Sequence, residues 1–313
     1  MKLPTLFNPS NDMALAANVC QYFPPRHIRQ METDLASLAR LWDEGPWGWS
    51  LAAKQYYRSL GIPQTELPTD EWLNRVRQLS SREFAVAYYQ QLTDSLKEEN
   101  TLLPCQARFL SSPSALNLLK SLSPLPLIFK SPWSSSGRGN IVVDAFPVSY
   151  STEQRILATL RRQGGIVVEP FYRDKSLDFA MEFHCGHQGV RFLGYSVFQT
   201  DEMGHYGGNY VESQQSLLRR IDLPDALLRS LIDHHLRALS VLDYRGPVGI
   251  DMMRLADGRV HPCVELNFRR TMGWLALVLF DKGMTSDQLL AGDPQHGFSA
   301  SITDGRLDII CRP

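Results

Sequence analysis

Carboxylates set among apolar residues are costly to bury unless something positive meets them. The run Val248-Gly249-Ile250-Asp251-Met252-Met253 and the later run Val260-His261-Pro262-Cys263-Val264-Glu265-Leu266-Asn267 read as the two strands of a hairpin. Within residues otherwise dominated by Val, Ile, Met and Leu they carry three oxygen-bearing side chains, Asp251, Glu265 and Asn267. Hard oxygen ligands of this kind suit Mg²⁺, with Mn²⁺ possible, because Mg²⁺ typically takes one or two carboxylates and completes its shell with phosphate oxygens. The plainer reading is a solvent-facing polar stripe, which Arg254 and Arg259 would support. Parity separates the two. A two-residue turn at Asp257-Gly258 would send Asp251 and Glu265 to opposite faces, whereas a three-residue loop Ala256-Asp257-Gly258 with Gly258 left-handed pairs Leu255 with Arg259. Asp251 then falls opposite Cys263, with Glu265 its diagonal neighbour on the same face, roughly 7–8 Å away. An odd-numbered loop, or a bulge at Pro262, is therefore expected.

A second group lies at Leu127-Ile128-Phe129-Lys130, which runs through Ser131-Pro132-Trp133-Ser134-Ser135-Ser136-Gly137-Arg138-Gly139-Asn140 into Ile141-Val142-Val143. Small residues at Ser134, Ser135, Ser136, Gly137 and Gly139 let backbone N–H groups close over an anion, and Lys130 and Arg138 add positive charge. The alternative is a hairpin with a flexible tip. With 25 arginines and 7 lysines in the chain, Lys130 stands out. A third group, Ile166-Val167-Val168-Glu169-Pro170-Phe171-Tyr172, is a strand leaving into irregular chain, able to present backbone groups to the edge of a planar base.

These groups need elements to hold them. Helices are expected over Met31–Trp42, Ser50–Leu60, Thr69–Leu79, Arg82–Leu96 and Ser114–Leu122, a capped helix from Ser151-x-x-Gln154 to Gly164-Gly165, and a long helix from Pro224 to about Leu242. Strands are expected at Leu3–Phe7, around the three groups above, and at Asp178–Phe183 and Val190–Phe198. They follow one another too closely for parallel crossovers, so the class is α+β (α/β) with antiparallel hairpins. Gly204–Tyr210, with three glycines and interleaved aromatics, reads as an ordinary or a mobile substrate loop. His184-Cys185-Gly186-His187 reads as a hairpin tip and His234-His235 as a solvated face. Trp42, Trp47, Trp49, Tyr56 and Tyr57 read as packing between the first segment and the rest.

The 313 residues suffice for about two domains at roughly 150 residues each. A net charge of −1, from 32 basic and 33 acidic residues, offers no footprint for nucleic acid. The longest apolar run, Gly273–Phe280, is far short of the roughly 18 residues a membrane span needs. No membrane association and a cytoplasmic location are expected, and the 5 widely spaced cysteines are expected as reduced core thiols.

Taken in order, the motifs from about Ser112 to Gly273 resemble an ATP-grasp domain, closest to the carbamoyl-phosphate synthetase and biotin carboxylase branch. Lys130-x₈-Gly139 with Gly137-Arg138-Gly139 resembles that branch's lysine and glycine-rich flap, Glu169-Pro170-Phe171-Tyr172 its interlobe hinge, and Glu265-Leu266-Asn267-Phe268-Arg269 its E-x-N-x-R metal motif. The resemblance implies an ATP-grasp fold of two α+β lobes, 105–168 with the flap and 169–313 with the metal hairpin, behind a mixed, mainly helical pre-ATP-grasp lobe, 1–104. It implies that Lys130 binds the α and β phosphates and that Ser134–Gly139 covers them. Adenine would donate to the Pro170 carbonyl and accept from the Tyr172 N–H, with Asp178 at the ribose. Asp251, Glu265 and Asn267 would hold Mg²⁺, and Arg269 would face the γ-phosphate or an acyl phosphate. The family's first ATP-contacting lysine has no clear counterpart, and an arginine such as Arg82 or Arg108 is the expected stand-in. The implied activity is an ATP-dependent ligase that joins a small-molecule carboxylate to an amine. A kinase acting on a hydroxyl and a non-catalytic nucleotide-binding protein are the alternatives, and retention of all three metal ligands argues against the latter.

Overall fold

In Asp178-Phe179-Ala180-Met181-Glu182-Phe183 large apolar side chains alternate with small or acidic ones, the period that gives a strand one buried and one functional face. Phe179, Met181 and Phe183 are fully buried, and helix Asp225–Ser240 packs across them through Leu227, Leu228 and Leu231. The computed structural model describes residues 2–113, 126–134, 139–201 and 205–312. Its fold is α+β, and every pairing between its strands is antiparallel.

Two sheets divide the described strands. The smaller contains β1 (Arg108–Leu110), β2 (Leu127–Lys130), β3 (Ile141–Val143) and β4 (Ile166–Pro170) in the order β1-β4-β2-β3. The larger contains β5 (Lys175–Gly186), β6 (Gly189–Thr200), β7 (Tyr206–Tyr210), β8 (Gly246–Leu255), β9 (Val260–Asn267), β10 (Gln288–Gly292), β11 (Gly297–Thr303) and β12 (Arg306–Arg312), in the order β10-β11-β12-β7-β6-β5-β8-β9. Helix Tyr150–Gln163 covers the smaller sheet, whose core runs from Leu110 to Val168. Residues of the first hundred share cores with the larger sheet: Val76 to Leu92 join the core under helix Asp225–Ser240, and Phe7, Leu35 to Trp42 and Trp47 join a second core with helix Met272–Asp281 and strands β10–β12. Trp42 meets both Trp47 and Trp274 edge-on, at 5.8 and 6.2 Å, the packing against the rest expected of Trp42 and Trp47, whereas Trp49 and Tyr56 each meet the Tyr57 ring at 5.5 Å within the first segment. Among the described residues no helix is long and apolar enough to cross a membrane.

Several elements differ from the sequence expectation. Leu3–Phe7 makes only a bridge, Leu6 to Pro46. A helix, Asn11–Ala17, follows instead of a loop and ends with Asn18 left-handed at φ 52°. Met31–Trp42 is divided between helix Arg26–Asp34 and a 3₁₀ helix Ala36–Leu41. The cap of the middle helix is Ser149, whose Oγ accepts the Thr152 N–H at 3.2 Å, two residues before the expected Ser151; Gly164 stops it in the left-handed region as expected. His205–Asn209 lies mostly in strand β7 rather than in a loop, because it is paired on both edges, with β6 and β12. His235 is buried, stacked on Tyr88 with its Nδ1 2.8 Å from the Tyr88 hydroxyl, and burial pushes its pKa down to about 3. That residue faces the core because its helix puts it in register with Leu228, Leu231 and Leu239. All five cysteines are free, but Cys20 and Cys311 are exposed rather than in a core. The expected helix Ser114–Leu122 lies outside the described residues.

Gly292 closes β10 at φ +79°, and a Cβ there would stand 1.9 Å from the Phe298 carbonyl oxygen. Gly292→Ala combines a left-handed conformation with a backbone clash. It is expected to cost at least roughly 1–3 kcal/mol, read as a lowered denaturation midpoint at unchanged slope.

Candidate active site

Between the two sheets lies a cavity of about 1050 Å³. Its floor is one face of the larger sheet, and the strand registers place the floor residues in rows: Met253, Asp178 and Phe198; then Glu265, Asp251, Ala180 and Ser196; then Asn267, Gly249, Glu182 and Gly194. All of these except the two glycines line the cavity. Lys130 and Glu169 to Arg173 come in from the smaller sheet, and Phe7, Pro9, Ser10, Met13 and Arg82 from the first hundred residues.

The hairpin β8–β9 turns through the three residues Ala256-Asp257-Gly258, with Gly258 at φ +87° and the Leu255 N–H bonded to the Arg259 carbonyl at 2.8 Å. Below the turn Met253 still faces His261, but Asp251 faces Glu265, so Met252 alone opposes Pro262, Cys263 and Val264. This two-residue bulge sits where Pro262 lacks an N–H for the ladder. A shift of two preserves parity. It also brings Asp251 and Glu265 directly opposite each other rather than diagonal, on the cavity face. The Asn267 amide donates to Asp251 Oδ2 at 3.0 Å. Burial pushes the Asp251 pKa well above the usual carboxylate range, and the Glu265 and Glu182 carboxylates add to the rise against Arg269 and the Asn267 hydrogen bond. Two facing carboxylates, of which only Glu265 is directly paired with a guanidinium, fit a divalent cation chemically. Among the described residues no group of three or more His, Cys, Asp or Glu side chains is placed to hold a metal ion.

Lys130 and Glu169 form a buried ion pair across β2 and β4. Burial alone would raise the Glu169 pKa, but Lys130, His261 and Arg82 outweigh it and hold the carboxyl below its ordinary value. The Phe171 N–H is taken by the Pro126 carbonyl at 2.9 Å, which fixes the path of Pro170-Phe171-Tyr172 along the cavity rim. Asp178 Oδ2 accepts from Lys175 and from the Thr200 hydroxyl, each at 2.6 Å. Ser134 and Gly139 are described, the latter at φ +86°; Ser135, Ser136, Gly137 and Arg138 lie outside the described residues.

Three contributors were hidden or only half visible in the sequence. Arg82, at the start of helix Arg82–Ser95, donates to the Ser131 carbonyl and the Ser134 hydroxyl at 2.7 Å and to Glu265 at 2.5 Å. It ties hairpin β8–β9 to the loop after Lys130, while Arg108 is exposed on β1. Asp12, on the unforeseen helix Asn11–Ala17, grips Arg269 with both oxygens, Nη2 to Oδ2 at 2.8 Å and Nε to Oδ1 at 3.2 Å. Glu182 is buried, its Oε1 accepting from Thr271 at 2.8 Å and Ser196 at 3.2 Å. Its signal was the alternation Asp178, Ala180, Glu182 against three large apolar residues.

Burial pushes the Glu182 pKa up to about 7, against the lowering pull of Thr271, Ser196 and Arg269. A carboxyl with a raised folded-state pKa contributes stability below its unfolded value of about 4.3 and loses it as pH rises toward 7. Glu182→Gln is therefore expected to flatten the stability profile between those pH values, measured by denaturant midpoints from pH 4 to 8.

No protein-family model and no curated protein matches the sequence. Solved structures similar to the chain include an N5-carboxyaminoimidazole synthetase from Staphylococcus aureus complexed with ADP, 11% identical, with a TM-score of 0.44 over 62% of this chain and 45% of that one. A biotin carboxylase from Campylobacter jejuni in complex with β-γ-ATP is 13% identical, with a TM-score of 0.48 over 67% and 47%. A D-alanyl-alanine synthetase A from Vibrio cholerae is 13% identical, with a TM-score of 0.44 over 66% and 60%. The chain spans less than two thirds of the length of each.

Proposed function

We propose that the protein is an ATP-dependent ligase that activates a carboxylate as an acyl phosphate and passes the acyl group to an amine. The observation that carries this reading is the direct opposition of Asp251 and Glu265 on the floor of a cavity whose rim holds Lys130 and Glu169–Tyr172. Lys130 binds the α and β phosphates, its orientation fixed by Glu169, which leaves the other ammonium hydrogens for phosphate oxygens. Adenine lies along Glu169-Pro170-Phe171-Tyr172, donating to the Pro170 carbonyl and accepting from the Tyr172 N–H, with Asp178 at the ribose. Ser134–Gly139 closes over the triphosphate, and Arg82 anchors the start of that segment.

Asp251, Glu265 and Asn267 hold Mg²⁺, or Mn²⁺, which when bound supplies Lewis-acid polarisation of the phosphoryl group. Arg269, held by Asp12, directs a guanidinium at the γ-phosphate and then at the acyl phosphate, where planar donors match phosphate oxygens. No side-chain nucleophile is needed, because positioning and charge stabilisation carry such a transfer. We also propose that 1–104, 105–168 and 169–313 act as three units of this machinery, the first seated on the third through their shared cores.

The test is ADP release from ATP and Mg²⁺ against pooled small carboxylates and amines, with products weighed by mass spectrometry. An amide plus ADP supports the ligase. A phosphorylated hydroxyl compound would replace it with a kinase on the same site.

A further inference from the structure

Glu182 is a buried carboxylate to which the nucleotide reading gives no task. The rows of the floor have an order. Asp178 lies in the first, at the hinge end beside Lys175; Asp251 and Glu265 lie in the second; Glu182 lies in the third, across Gly249 from Asn267. Rows two residues apart along a strand are separated by about 7 Å. Glu182 therefore stands one row beyond the Asp251–Glu265 pair, on the side away from the hinge and two strands from Asn267.

Thr271 and Ser196 fix its orientation, and both are neutral hydroxyls that leave the charge unmet. Arg269, the guanidinium whose charge reaches Glu182, is itself paired with Asp12. The space is tightly built, since a Cβ on Gly273 would stand 2.3 Å from Glu182 Oε1. Beyond Thr271 the cavity turns apolar: Met272, Phe7, Ile28, Met31, Trp47 and Phe298 line it, and most of them belong to or pack on the second core.

We infer that Glu182 anchors an acceptor subsite, and that the acceptor is a primary amine with an aliphatic or aromatic body. Its ammonium lies at the Glu182 carboxylate and its body against Met272, Phe7, Met31 and Trp47. The inference rests on the ligase reading, which supplies the acyl phosphate. The nitrogen lone pair forms the C–N bond as the carbon–oxygen bond to phosphate breaks, and that electron pair leaves on the phosphate oxygen. Of the two protons the ammonium loses, one passes to Glu182 and on to solvent, and the other departs with phosphate. An apolar body gains by leaving water, and an ammonium enters such a place only where a carboxylate meets it.

The test is calorimetric titration of the MgADP-saturated full chain with benzylamine and with ethanolamine. Benzylamine is expected to bind at least roughly tenfold more tightly than ethanolamine, and Glu182→Gln to weaken it by a similar factor while leaving MgADP affinity unchanged. Met31→Ser, at the half-buried end of the wall, is expected to weaken benzylamine alone and reports on the subsite even if Glu182→Gln misfolds. Equal binding of the two amines, no amine binding to a chain that does bind MgADP, or benzylamine binding indifferent to both substitutions overturns the subsite and leaves the nucleotide reading standing. A wild-type chain that binds no MgADP overturns both.

Discussion

Asp251→Asn is expected to move stability and turnover in opposite directions. In the free protein Asp251 is half-buried opposite Glu265, with its charge opposed by desolvation and by two neighbouring carboxylates. An amide of the same shape removes that penalty, so the thermal midpoint of the metal-free protein rises. Turnover with ATP and Mg²⁺ falls by roughly a thousandfold, because the Lewis-acid contribution to a phosphoryl transfer is several kcal/mol and each 1.36 kcal/mol is about a factor of ten. Thermal melts with and without Mg²⁺, beside ADP release, read both effects. A polar stripe without a metal role predicts little change in turnover and no loss of Mg²⁺-induced stabilisation.

Lys130→Ala is expected to have the largest effect on nucleotide affinity. Loss of a charge-assisted contact to phosphate costs roughly 1.5–3 kcal/mol, or about ten- to 150-fold in Kd. The same change strands Glu169, whose ion pair with Lys130 is buried, and removing one partner of such a pair costs roughly 3–5 kcal/mol of stability. The two losses separate in the double variant Lys130→Ala/Glu169→Gln. Stability recovers in large part because no uncompensated charge remains, while ATP affinity stays low. Recovery of ATP binding together with stability would show that Lys130 serves the fold rather than the nucleotide.

What the sequence made legible follows from local chemistry. The strands around Lys130, Glu169, Asp251 and Glu265 were readable because each combines an apolar run with a turn signal, and the loop Ala256–Gly258 because one glycine in the left-handed region fixes its length. The bulge over Pro262–Val264 was readable only as a possibility; its size depends on how β8 and β9 pack between β5 and Leu103. Asp12 was not assignable, and Arg82 was named only as a stand-in for a lysine and not as the partner of Glu265, since they lie 257 and 183 residues away in sequence from their partners Arg269 and Glu265. No local pattern encodes a pairing of that separation. His235 was misread for a related reason: beside His234 and Asp233 it looks polar, and only the helix register against Tyr88 turns it inward.

The proposed function requires a nucleotide and a divalent cation to share the cavity between the sheets. Crystals grown with Mn²⁺ and a non-hydrolysable ATP analogue test this directly through the anomalous signal of manganese. The account predicts an anomalous peak between the Asp251 and Glu265 carboxylates, phosphates beside Lys130 and adenine against Glu169–Tyr172. A nucleotide bound elsewhere, or one bound in the cavity with manganese away from that carboxylate pair, would contradict it.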